Sequence, residues 1–345
     1  MPVINFKYDD LCGLIGEDVP QKTLIERIPM IGADMHDTEG NENEMSVEFF
    51  PDRPDLFSVE GLGRGMRAFL GIRPGLQEYD VEKTDIQVVT DPKIEKVRPY
   101  FLCGVVTGVN IDDDFLRSIM ELQEKLHITI GRKRSKFAIG IHDLDKVVPP
   151  FTYTTAKPHD VKFVPLAKTE EMDLEEILEK HEKGIGYAHL LKGLDEYPII
   201  FDSKKNVLSF PPIINGSLTT VTTKTHNLFI DVTGMDRKAV KGALDIVVTS
   251  LAERGGKIGS VHMTGSYDCI SPDLTPITRT ISSSECQKFL GLDIGNKGVI
   301  EALGKMGMDA KVDPEDNDRI IVRYATTRLD IMHDVDIYED VATGY

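Results

Sequence analysis

Apolar and polar positions alternate most sharply between Tyr197 and Gly234. Val207-Leu208-Ser209-Phe210 and Leu228-Phe229-Ile230-Asp231-Val232 are apolar runs that each carry one polar residue, the pattern of half-buried strands. Each run therefore delivers a polar side chain to a shared face. Pro211 and Pro212 remove two backbone donors just after the first run and favour a sheet edge or strand end that a ligand can approach, and Asn215-Gly216 is a turn signal. Asp231 and Thr233 lie two residues apart, so both can face the cavity that Ser209 faces. The alternative is that Asp231 begins a turn and Thr233 caps a helix starting near Asp236.

Helical periodicity dominates elsewhere. Leu116, Ile119, Met120, Leu122 and Leu126 predict an amphipathic helix over Asp113 to Thr129, and a second is expected over Leu174 to Lys183. A helix from Asp236 to Glu253, stopped by Gly255-Gly256, lies between strand patterns at Leu228 to Val232 and Lys257 to Met263. Upstream, short helical patterns near Asp9 to Leu14 and Lys22 to Ile28 precede a strand at Met45 to Phe50. A helix over Ser58 to Leu70 follows, with Asp55 or Ser58 as N-cap. Its Gly61 and Gly63 resemble a dinucleotide fingerprint, but Met66 stands where the third glycine belongs, so these glycines are read as close helix packing. Downstream, helices at Ser284 to Leu290 and Lys297 to Met306 precede a hairpin of Met308 to Val312 and Ile320 to Tyr324, a winged-helix-like pattern. The expected architecture is α+β and multidomain. A small N-terminal α/β module spans 1–90, a central mixed α/β domain 91–268, and a winged-helix-like domain 269–345.

Composition narrows the class. The 345 residues are 41% apolar with no long biased segment, so the chain should fold. No apolar run approaches the ~18 residues of a membrane span and no charged start precedes an apolar stretch, so a cytoplasmic location is expected. Cys12, Cys103, Cys269 and Cys286 lack metal-ligand spacing, and His181 and His189 have no carboxylate at ligand spacing. A net charge of −17 has the wrong sign for binding RNA over a broad surface. Against it stands one dense basic run, Arg132, Lys133, Arg134 and Lys136, which reads either as a solvated helix end or as a phosphate contact. Asp330, Asp334, Asp336, Glu339 and Asp340 read either as a solvated acidic face or, where they converge, as ligands for a hard divalent cation.

Longer segments carry a resemblance. DRPDLFSVEGLGRGMRAFLG (52–71), ELQEKLH (121–127), FAIGIHDLD (137–145), PPFTYT (149–154), VLSFPPIING (207–216), FIDVTG (229–234) and DIMHDVDIYEDVA (330–342) are similar, in order, to the β subunit of archaeal and eukaryotic phenylalanyl-tRNA synthetase. The resemblance covers essentially the whole chain and implies that the central domain edits, hydrolysing tyrosine mis-attached to tRNA for phenylalanine. It implies catalytic roles for Ser209, Asp231 and Thr233, a substrate wall of Ile200, Pro211, Pro212 and Asn215, and tRNA contact by Arg132, Lys133, Arg134 and Lys136. It further implies an α-subunit partner in a tetramer of two α and two β chains, with ATP used by that assembly and not bound by this chain. Mg2+ shared with the α subunit would be held by Asp330, Asp336, Glu339 and Asp340. Because family members continue beyond Tyr345, the chain is expected to be an N-terminal fragment without synthetic activity of its own. The alternative function is a non-catalytic module that binds tRNA and assembles subunits.

Overall fold

The structure is a computed structural model and describes residues 2–36 and 43–345. It is a mixed α/β protein with five sheets and ten α-helices among the described residues. The chain divides into two compact units, one of residues 80–273 and one that joins 1–79 to 274–345. The first and last sequence modules thus fall within a single unit.

Two sheets form the frame of the 80–273 unit. One has five strands, in which Leu228–Gly234 runs between the central strand Tyr100–Thr107 and the edge strand Phe137–Asp143, both antiparallel to it. The other has seven and carries Tyr197–Phe201 beside Val207–Phe210 towards one edge. Phe101, Cys103, Val105 and Phe229 of the first sheet pack with Val88, Phe151, Tyr153, Ile200 and Leu208 of the second, so one core of the unit fills the space between the sheets. Helix Arg237–Glu253 packs on the opposite face of the five-stranded sheet. Leu228–Gly234 is consequently buried at every position, and its apolar run is the signature of a strand covered on both faces.

The Lys257 to Met263 pattern is two strands, not one. Lys257–Gly259 joins the five-stranded sheet and Val261–Gly265 the seven-stranded one, so the chain changes sheets at Ser260. A Cβ on Gly259 would lie 2.6 Å from Val105 and 2.7 Å from Thr84, which explains a glycine at the crossing. The expected Leu174 to Lys183 helix breaks at His181, whose backbone is extended. It becomes Leu174–Lys180 and Glu182–Tyr187, and the His181 ring accepts from the Lys183 amide as N-cap of the second.

In the other unit, helix Val59–Phe69 is capped by Ser58, which accepts from the Gly61 amide at 3.2 Å. A Cβ on Gly61 would lie 2.0 Å from the Asp55 carbonyl and one on Gly63 2.7 Å from Leu14, so these glycines serve close packing. The C-terminal hairpin, Asp309–Asp313 with Asp316–Tyr324, is joined by a third strand, Ile277–Ser282, that periodicity had not singled out. Helices Ser283–Leu290, Gly295–Lys305 and Asp334–Gly344 complete this core. No helix among the described residues is long and apolar enough to cross a membrane.

Candidate functional site

Between the two sheets of the 80–273 unit lies a cavity of about 340 Å3, within the range of small-molecule sites. Ser209, Pro211, Pro212 and Asn215 line it from the seven-stranded side, and Asp231 and Thr233 from the five-stranded side. The space exists because of what stands opposite the polar residues. On the neighbouring strand Asp231 faces Gly140 and Thr233 faces Ala138, the two smallest residues available, and both line the cavity. Asp231 and Thr233 are strand residues on one face. Asp236, not Thr233, caps the following helix by accepting from the Ala239 amide.

Each polar group is oriented by a partner. Arg98 is buried and donates through Nε to Thr233 Oγ1 at 2.9 Å and through Nη2 to the Thr233 carbonyl at 2.9 Å. With its oxygen accepting from Arg98, the Thr233 hydroxyl keeps its own proton for another acceptor. Burial pulls the Arg98 pKa down to about 10, still well above neutral. Ser209 Oγ donates to Asn215 Oδ1 at 3.1 Å, which leaves the Ser209 oxygen as an acceptor and the Asn215 amide as a donor. The Asp231 carboxylate is 1% exposed and lies 2.7 Å from Nε2 of His142, whose Nδ1 lies 2.7 Å from Thr219 Oγ1.

The site therefore offers fixed donors and acceptors but no activated nucleophile. Ser209 donates to an amide oxygen rather than to a base. Cys103, directly across from Asp231, is fully buried, and burial pushes its thiol well above the ordinary range. What the arrangement can do is hold a small polar group and orient water near it.

Two expected site residues are used differently. Ile200 is fully buried in the inter-sheet core with Tyr153 and Phe229, and supports the wall from behind rather than lining it. Arg134 is turned inward. It is 8% exposed, donates through Nη1 to the carbonyls of Ile213 at 2.8 Å and Pro212 at 3.1 Å and through Nη2 to Glu124 at 3.2 Å, and stacks on Tyr187. Its guanidinium ties down the proline wall of the cavity, so a phosphate contact by this residue does not match its placement. Arg132 and Lys133 are exposed, and Lys136 pairs with Asp236 at 3.1 Å. Arg98, Gly140, His142 and Thr219 had not been picked out. The alternation of FAIGIHDLD, which puts Gly140 and His142 on one face, was the available signal for two of them.

The acidic residues near the C-terminal end do not fit a magnesium ion as arranged. Asp330 accepts from Arg328 Nε at 3.0 Å and Nη2 at 2.6 Å, and Asp340 accepts from Arg328 Nη2 at 2.7 Å. Burial works against the charge of Arg328, but Asp340 and Asp330 more than offset it and hold the guanidinium well above its ordinary range. Asp336 accepts from the Met332 and His333 amides at the helix start, and Glu339 is exposed. Among the described residues no three His, Cys, Asp or Glu are grouped to hold a metal ion. The cation that Asp330 and Asp340 meet is an arginine of the same chain.

Known proteins are similar to the chain over its whole length. Residues 99–250 match a family model described as B3/4 domain, and residues 279–345 match one described as tRNA synthetase B5 domain. The chain is 48% identical over 347 residues to the phenylalanine-tRNA ligase beta subunit of Methanosarcina barkeri and 45% identical over 348 residues to that of Methanosphaera stadtmanae. All of this chain is covered in both, but only 62% and 61% of those proteins. The crystal structure of an N-terminal fragment of the phenylalanyl-tRNA synthetase beta subunit from Pyrococcus horikoshii superposes with a TM-score of 0.95 at 41% identity, covering 100% of this chain and 99% of that one.

Proposed function

The chain belongs to the family of phenylalanyl-tRNA synthetase beta subunits, and on that premise we propose that its inter-sheet cavity is an editing site that hydrolyses tyrosine wrongly esterified to tRNA for phenylalanine. The observation that carries the reading is the meeting of Ser209, Asn215, Asp231 and Thr233 from two sheets around one cavity of about 340 Å3. A pocket built for phenylalanine rejects tyrosine only weakly, by roughly a hundredfold in comparable cases, because a hydroxyl is merely added. A second pocket with a fixed polar partner inverts that preference. Tyrosine satisfies the partner, whereas phenylalanine leaves it unpaired at about 1–3 kcal/mol, or roughly 5- to 150-fold.

Asp231 and Thr233 supply an acceptor and a donor for the tyrosyl group, Ser209 and Asn215 a second such pair, and the proline wall excludes bulk water. Hydrolysis needs no protein nucleophile. A held water adds to the ester carbonyl carbon, the bond from that carbon to the ribose oxygen breaks, and the ribose oxygen takes a proton as free tyrosine leaves. In this reading Arg132 and Lys133, exposed in the turn that brings Arg134 to the cavity, contact phosphates of the tRNA. The reading extends to an α-subunit partner that carries synthesis and ATP.

The test is single-turnover deacylation of tyrosyl- and phenylalanyl-tRNA for phenylalanine by the chain and its Asp231→Ala and Thr233→Ala variants. Faster release of tyrosine by the unaltered chain, lost in a folded variant, supports the reading. Equal or undetectable release with the α subunit also present contradicts it and favours a non-catalytic role in tRNA binding and assembly.

A further inference from the structure

We propose that Gly140, His142 and Thr219 form a support that positions the Asp231 carboxylate, with His142 as a positioning residue for selection of the tyrosyl group; this rests on the editing reading of the cavity. Register dictates the contact. Asp231 pairs directly with Gly140, and His142 is the next residue on the same face of that strand, diagonal to Asp231 and opposite Phe229. A Cβ at position 140 would lie 2.1 Å from Asp231 Oδ2 and 2.7 Å from His142 Nε2. One missing side chain thus makes room for both partners, and any larger residue would push the carboxylate off the imidazole.

His142 has no exposed surface, so both ring nitrogens need partners, and both have one at 2.7 Å. With Nδ1 on Thr219, and Thr219 Oγ1 also 3.3 Å from the Gly216 carbonyl, the ring is fixed to the loop that forms the far side of the cavity. Such a ring cannot reach a substrate proton or a water in the cavity. Its effect runs through Asp231. Arg98, the nearby guanidinium, bonds Thr233 and the Arg134 carbonyl instead. His142 is therefore the side chain, among the described residues, that holds Asp231 by a hydrogen bond and sets which way its carboxylate faces.

The experiment is single-turnover deacylation of tyrosyl- and phenylalanyl-tRNA for phenylalanine by the full chain and by His142→Leu, His142→Gln and Gly140→Ala, each checked by thermal melting. A hydrogen bond to a charged group is worth about 1.5–3 kcal/mol, so the leucine variant should lose roughly 10- to 150-fold of its preference for tyrosine. The glutamine variant, which returns an N–H donor near the Nε2 position, should stay within about threefold of the unaltered chain, and Gly140→Ala should behave like leucine. A purely structural histidine would show no such rescue. A folded leucine variant with full preference, or a glutamine variant as impaired as leucine, overturns the proposal. If the leucine variant does not fold, Gly140→Ala decides alone, with retained preference overturning the proposal and lost preference supporting it. An unaltered chain that shows no preference removes the editing reading itself. Preference lost in Asp231→Ala but kept in His142→Leu removes only the support.

Discussion

Replacing Arg134 by methionine keeps the apolar stem and deletes the guanidinium, and it separates an anchoring arginine from a phosphate-binding one. The side chain makes two charge-assisted bonds to the Ile213 and Pro212 carbonyls. Bonds of that kind are worth about 1.5–3 kcal/mol each. The Glu124 pair adds little, because that carboxylate's side chain is 39% exposed and solvent screens it. Part of the loss returns through the methionine packing on Tyr187, so Arg134→Met should destabilise the 80–273 unit by about 3–5 kcal/mol. Arg132→Met and Lys133→Met, at exposed positions, should stay within about 0.5 kcal/mol of the unaltered chain. Urea denaturation followed by circular dichroism measures all three. An Arg134→Met chain as stable as the original, with tRNA affinity reduced and its salt slope smaller by about one, would refute the anchoring role and restore a phosphate contact.

Acid should weaken the fold through His127. Its Nε2 accepts from the Ile139 amide at 2.7 Å, and burial, with Arg134 nearby, lowers its pKa from 6.5 to about 4. Between those values the unfolded chain binds the extra proton, so the contribution is complete above about pH 6.5 and falls as pH drops towards 4. The loss from pH 7 to pH 5 is about 2 kcal/mol. His127→Gln, which keeps an acceptor for Ile139, should remove that part of the pH dependence in urea melts, and an unchanged pH profile would contradict it. In the other unit, Arg328→Ala strands the buried Asp340 and should cost about 3–5 kcal/mol, whereas EDTA should leave the melting temperature of the unaltered chain in place. A fall in that temperature with EDTA, restored by Mg2+, would show that a metal rather than Arg328 closes the carboxylate cluster.

What was legible in the sequence were features that depend on local pattern. Val207–Phe210 and the alternation that puts Asp231 and Thr233 on one face both follow from strand periodicity. The packing role of Gly61 and Gly63 followed from a fingerprint that fails at Met66. Partner choice was not legible. Arg132, Lys133, Arg134 and Lys136 are four similar cations in one run, and contacts such as the carbonyls of Pro212 and Ile213, far along the chain, select Arg134 for the interior. The same holds for Asp330 and Asp340, whose carboxylates suit a divalent cation equally well until Arg328 is seen to lie between them. Periodicity also cannot say which sheet a strand joins, so the switch at Ser260 escaped it. At the break, His181 Nε2 lies 3.1 Å from the Leu166 carbonyl, a contact outside the helix that propensity does not register.

The most direct measurement is calorimetric binding of non-hydrolysable amide analogues of 3′-tyrosyl- and 3′-phenylalanyl-adenosine to this chain and to Asp231→Ala. The account predicts that the tyrosyl analogue binds at least about tenfold more tightly and that the difference disappears with the carboxylate. Equal affinity for the two analogues, or a preference that survives Asp231→Ala, would contradict it.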